Sequence, residues 1–260
     1  MPYVADGDPL QTLDIYRLKG RTGPFPTLFV IHASGGDKRD MLQVGYYFAR
    51  RGYAVVAINH RQMPQYVYPT PAQDVFCALA WVHANADTYG FDRDRIAALG
   101  HSAGGMQAAL LGAVDDAVAG DGAVFMENCP HSLSEVNGVQ GVISFGGLFD
   151  LASAAGFSDG LREYLGTYLG GELGAVPDTW AQASPITWVD GNEPPFLLIH
   201  GLGDVSVDPE QAKSFAAALE KAGGDVELVL VPDAGHSDII RSEELFEVVI
   251  AFCARIWGRP

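Results

Sequence analysis

Continuous apolar runs recur along the chain at Thr27–His32 (TLFVIH), Tyr53–Asn59 (YAVVAIN), Arg95–Gly100 (RIAALG), Gly141–Gly147 (GVISFGG), Pro195–Gly201 (PFLLIHG) and Val226–Pro232 (VELVLVP). Each is short and closed by Gly, Pro, His or Asn, as expected of a strand buried on both faces. Helical patterns lie between them. Lys38–Gly52 ends at a glycine. Thr70–Gly90 starts with a predicted capping box, with Thr70 as N-cap, Pro71 at the first helical position and Gln73 reaching back. Val75, Leu79, Val82, Ala86 and Tyr89 then fall on one face. Ala103–Val114, Asp208–Gly224 and Ser242–Trp257 complete the helices. This alternation predicts an α/β fold, a mostly parallel central sheet with helices on both faces. Leu151–Val189 breaks the rhythm with Gly, Ala and aromatic residues. Residues 1–260 read as a single domain, with 151–189 an insert forming a lid or one wall of a pocket.

Composition narrows the possibilities. The 260 residues are 48% hydrophobic and 18% charged, enough for a substantial core. A formal net charge of −16 repels phosphate backbones and anionic lipid, so neither nucleic acid nor a membrane surface is expected as a partner. Cys77, Cys129 and Cys253 are odd in number and far apart, which does not suggest a disulfide framework. No Cys or His spacing suggests a metal site, and no cofactor is expected. The acidic, proline-containing start is unlike a signal peptide, and no apolar run is long enough to span a bilayer; the expectation is a cytoplasmic protein.

The candidate chemistry centres on Gly100-His101-Ser102-Ala103-Gly104. G-x-S-x-G alone is a weak signal, but here it follows a strand and opens a helix. That context makes it a nucleophile elbow, a sharp turn exposing the serine at the carboxyl edge of the sheet and at a helix N-terminus. A serine needs a base, and the base needs an orienting group. Both are expected downstream in loops after strands, the acid first. Asp204 follows the Pro195–Gly201 run, and His236 follows the Val226–Pro232 run. Asp208 reads instead as the start of the next helix, and Asp233 and Asp238 adjoin the histidine too closely in sequence to orient its ring. His60, His83 and His131 read as surface or structural, His200 as scaffold, and His101 as a pocket neighbour. An oxyanion hole requires the N–H of Ala103 and a donor from the loop His32–Lys38, where Ala33 and Ser34 are the candidates. His32 is expected to brace that loop.

Beyond these residues, GHSAGG, HGLGDVSV and DAGHS, with QTLDIY near the start and ASPITWV before the acid strand, resemble the α/β-hydrolase carboxylesterases. The resemblance is greatest to the bifunctional feruloyl and acetyl-xylan esterase group, which borders the hormone-sensitive-lipase-like esterases, and it runs from about Leu13 to Arg255 on the strand–helix order. It implies an α/β-hydrolase fold with Ser102 as nucleophile, His236 as base and Asp204 as orienting acid. One departure stands out: the family's His-Gly-Gly-Gly-aromatic loop is here the shorter His32-Ala33-Ser34-Gly35-Gly36, followed by Asp37-Lys38.

The expected activity is therefore cofactor-free hydrolysis of a small-molecule ester through an acyl-enzyme. Without an extended apolar lid, short acyl chains are favoured. An aryl formamidase or other small-amide hydrolase is the alternative within the hydrolases, and a non-catalytic binding protein the alternative outside them. Phe149, Phe157, Tyr164, Tyr168 and Trp180, together with the loop 120–138, are candidate pocket walls.

Overall fold

A computed structural model describes residues 1–114, 120–131, 138–153 and 157–258. Parts of two expected pocket walls, 132–137 and 154–156, lie outside the described residues. The strands are β1 (Leu13–Tyr16), β2 (Phe25–Ile31), β3 (Ala54–Ile58), β4 (Phe91–His101), β5 (Gly141–Phe145), β6 (Phe196–Gly201) and β7 (Val226–Val231). They form one sheet in the order β1-β3-β2-β4-β5-β6-β7. β1 runs antiparallel to β3, and every other neighbouring pair is parallel.

The apolar runs are continuous because both sheet faces are covered. Phe29 and Ile31 of β2, Val56 and Ile58 of β3, Ile96 and Ala98 of β4, and Phe196 and Leu198 of β6 point into one core layer. Their neighbours Leu28, Val30, Val55, Ala57, Ala97, Leu99, Leu197 and Ile199 point into the other. The period of two is thus present but hidden by apolar residues at every position. α1 (Leu42–Ala49) and α8 (Glu243–Trp257) cover the second face. α2 (Thr70–Ala84), α4 (Ala103–Ala113), α5 (Asp159–Tyr168), α6 (Pro177–Gln182) and α7 (Glu210–Ala222) contribute to the first, and the short α3 (Ala86–Tyr89) follows α2. Gly104 to Ala113 of α4 are all buried, as an all-round apolar helix must be.

Two local expectations are corrected. The Lys38–Gly52 helix divides into a 3₁₀ turn at Lys38–Met41, held by an Asp37–Asp40 capping box, followed by α1. The capping box at Thr70 does not form: α2 begins at Thr70 itself, after Pro69. The Gln73 side chain instead donates to the Val124 carbonyl at 3.0 Å.

The cysteine reading is also overturned. Cys77 and Cys129 form a disulfide, while Cys253 is free and buried. Sequence distance misled here. α2 packs against the 3₁₀ segment Gly120–Met126, with Phe76 stacked on Phe125 at 4.8 Å, and this brings together two residues 52 positions apart. No helix among the described residues is long and apolar enough to cross a membrane.

Candidate active site

The carboxyl ends of β2, β4, β6 and β7 share one edge of the sheet, so the loops after them converge. Ser102 follows β4 and precedes α4, with φ +56° and ψ −121°, a conformation L-residues rarely adopt. Its N–H donates to the Phe145 carbonyl at 2.8 Å, and its own carbonyl accepts from Met106 N–H at 3.0 Å. Close backbone approach explains the flanking glycines. A Cβ on Gly100 would lie 2.0 Å from the Gly104 carbonyl oxygen, and one on Gly104 would lie 2.3 Å from that of Ile31. The strained turn is therefore pressed between β4 and the end of β2, and Ser102 stands at the N-terminus of a buried helix.

Asp204 is buried in the loop after β6, where its carboxylate is densely hydrogen-bonded. Oδ1 accepts from the N–H groups of Ser206 at 2.8 Å and Val207 at 2.9 Å. Oδ2 accepts from His236 Nδ1 at 2.6 Å, and His200 Nε2 lies 3.2 Å from it. Burial alone would raise the pKa of this carboxyl; the bonds from His200, His236 and Val207 overcome it and hold the group well below the usual carboxylate range. An ionised Asp204 fixes the proton of His236 on Nδ1 and leaves Nε2 as the basic nitrogen.

The other histidines support this arrangement. His101 Nε2 donates to the His236 carbonyl at 2.9 Å, and the two rings lie 4.8 Å apart. Burial brings the pKa of His101 down to about 4, so it is neutral at pH 7. His200 donates to the Val207 carbonyl at 3.0 Å, tying the two ends of the acid loop. His32 stacks on His60 at 4.5 Å beneath the loop it was expected to brace, and its Nδ1 bonds the Ala33 carbonyl at 2.8 Å. His83 and His131 meet the carbonyls of Gly138 and Tyr3.

Ser102, Ala103 and His236 line one cavity of about 220 Å³. Ser34 lines it too, and Ser34 and Ala33 both line a neighbouring, more polar cleft with Gln43, His101 and Arg241. The remaining walls are mainly apolar, from Met63, Met106, Leu148, Leu161, Leu165 and Val207 among others. Of the aromatic candidates, Tyr164 and Tyr168 reach the cavity. Phe149, Phe157 and Trp180 do not; they are buried in the core, with Phe149 stacked on Phe215.

The sequence reading missed Gln62, whose side chain accepts from Gly35 N–H at 3.0 Å and donates to the Gly36 carbonyl at 2.9 Å. No local pattern marks it. Leu161, Tyr164, Leu165 and Tyr168 did carry a signal, since they share one face of α5 at helical spacing.

Residues 13–219 match the BD-FAE family model, which spans most of the chain. The chain belongs to the BD-FAE family. This BD-FAE chain is 33% identical over 240 residues to the esterase LipC of Mycobacterium tuberculosis, covering 88% of the chain and 57% of LipC. Esterase LipQ of the same organism is 33% identical over 80% of the chain and 49% of its own length. The BD-FAE chain thus spans about half the length of the curated relatives it matches. Among solved structures, a bifunctional GH43-CE protein of Bacteroides eggerthii superposes with a TM-score of 0.86 at 28% identity, over 99% of this chain and 38% of that one. A thermophilic esterase of Thermogutta terrifontis, at 24% identity, superposes with a TM-score of 0.77 over 95% of this chain and 90% of that one. The seven-stranded, mostly parallel sheet of the BD-FAE chain is an α/β-hydrolase fold.

Proposed function

We propose that this chain is a serine carboxylesterase that hydrolyses short-chain acyl esters through an acyl-enzyme. The reading rests above all on the 2.6 Å hydrogen bond from His236 to Asp204 beside a cavity shared with Ser102. Ser102 Oγ attacks the ester carbonyl carbon while His236 Nε2 takes its proton. The negative charge on the carbonyl oxygen develops against the N–H of Ala103 and an amide of the Ala33–Ser34 loop, at the N-terminus of α4. His236 then protonates the departing alcohol, and a water activated by the same nitrogen releases the acid. Throughout, ionised Asp204 balances the positive charge that His236 acquires.

Cavity size supports short acyl groups. At about 220 Å³ it is below the several hundred Å³ typical of sites for larger ligands, and its walls are mainly apolar. Initial rates on p-nitrophenyl acetate, butyrate, octanoate and decanoate test the reading, with Ser102→Ala as control. Acetate and butyrate should turn over fastest, and the variant should lose at least about 10⁴-fold in kcat. Absence of serine-dependent turnover on every ester rejects the esterase reading, and a maximum at decanoate rejects the short-chain preference.

A further inference from the structure

The loop that leaves β2 combines small residues with a tight turn, in which Gly36 N–H donates to the Ala33 carbonyl at 3.1 Å. Gln62 clamps the far half of this loop through Gly35 and Gly36. The near half, Ala33 and Ser34, carries the candidate oxyanion amides. It is reached from 130 positions away by Tyr164, whose hydroxyl shares a hydrogen bond with Ser34 Oγ.

Tyr164 is presented from an anchored wall. One turn along α5, buried Tyr168 receives a hydrogen bond from Gln107 Nε2 at 3.1 Å, and its carbonyl accepts from Tyr68 N–H at 2.9 Å. Leu165 is buried between them. Ser34 is exposed and Tyr164 half-buried, and a hydrogen bond between such groups adds little to folding stability. Its consequence is geometric, because an oxyanion donor acts only where the developing charge will sit.

We propose that Tyr164 is a positioning residue for the oxyanion loop: through Ser34, which lines the cavity that holds Ser102, it fixes the Ala33–Ser34 turn and its amides. This rests on the serine-esterase reading above and extends it to a residue outside the triad. Gln62 and Tyr164 then hold the two halves of the loop from different segments of the chain.

The test compares Tyr164→Phe, Ser34→Ala and the double variant, with kcat and KM measured on p-nitrophenyl acetate and butyrate. Phenylalanine keeps the ring and hence the wall, and removes only the hydroxyl. Each single variant should lower kcat about tenfold, a fraction of the 10²–10³ that follows loss of a whole donor. KM should stay within about twofold, the loss should be equal for both esters, and the double variant should be no worse than either single one. Melting temperatures should match the parent. Unchanged kcat overturns the proposal, as does additive loss in the double variant. A shift confined to KM and varying with acyl length also overturns it, by making Tyr164 a wall residue. Ser102→Ala and fluorophosphonate labelling at Ser102 separate the two levels: a parent protein that fails to label, or a Ser102 variant that keeps its rate, overturns the esterase reading itself.

Discussion

Replacing Asp204 with asparagine preserves the side chain's shape and reverses the role of one of its atoms. Oδ1 already accepts two backbone donors, from Ser206 at 2.8 Å and Val207 at 2.9 Å. The amide oxygen of asparagine must keep that position, since an NH₂ group there would face two N–H groups. The NH₂ group is thereby forced to the place of Oδ2, 2.6 Å from His236 Nδ1. Two donors cannot share that contact, so His236 moves its proton to Nε2 and loses the lone pair that should deprotonate Ser102. Disruption of the same tautomer in serine proteases costs about 10⁴ in kcat, equivalent to about 5.5 kcal/mol of transition-state stabilisation. The assay is steady-state hydrolysis of p-nitrophenyl acetate, with a thermal melt to confirm folding. Asp204→Asn retaining more than about a tenth of parental kcat would refute both the tautomer argument and the assignment of Asp204.

Acid should destabilise the protein before its carboxylates titrate. Burial lowers the pKa of His60 to about 3, and those of His83 and His101 to about 4, from 6.5. The unfolded chain therefore binds extra protons below pH 6.5; this stability is full above that pH and is lost as pH falls toward the folded values, by about 2 kcal/mol per histidine between pH 7 and 5. Urea melts at the two pH values should show a loss of about 6 kcal/mol, and His83→Gln, distant from the cavity, should reduce that loss by about 2 kcal/mol. An equal pH response in parent and variant would remove His83 from the account. Separately, replacing Cys77 and Cys129 together with alanine should cost about 4 kcal/mol in a urea melt, from a disulfide spanning 52 residues; unchanged stability would contradict that loop-closure argument.

What the sequence revealed follows from how local each feature is. The position of Ser102 in a strand-to-helix turn was legible because that turn is written in six consecutive residues, and the positions of Asp204 and His236 because each sits just past an apolar strand whose end fixes its place. Ala33 and Ser34 were not separable: adjacent in one turn, both line the polar cleft and Ser34 alone also reaches the cavity of Ser102, and the direction of that turn is set by Gln62 and Tyr164 from elsewhere. The disulfide escaped for a related reason, since only the packing of Phe76 on Phe125 brings its halves together. Phe149 and Trp180 showed the converse error, in which aromatics near a site serve the core.

The origin of α5 has a consequence for how such a protein can change. Ser102, Asp204 and His236 hang from strand ends locked into the sheet, where even a methyl group at Gly100 or Gly104 collides with backbone. The wall helix belongs to a segment between β5 and β6 whose described residues contribute no strand. Exchanging Leu161 there redraws the cavity while the strand ends that carry Ser102, Asp204 and His236 stay in place. Mutation at such a wall position can therefore vary what fits the cavity, whereas a change at Tyr164 or its Tyr168 anchor also reaches the loop after β2.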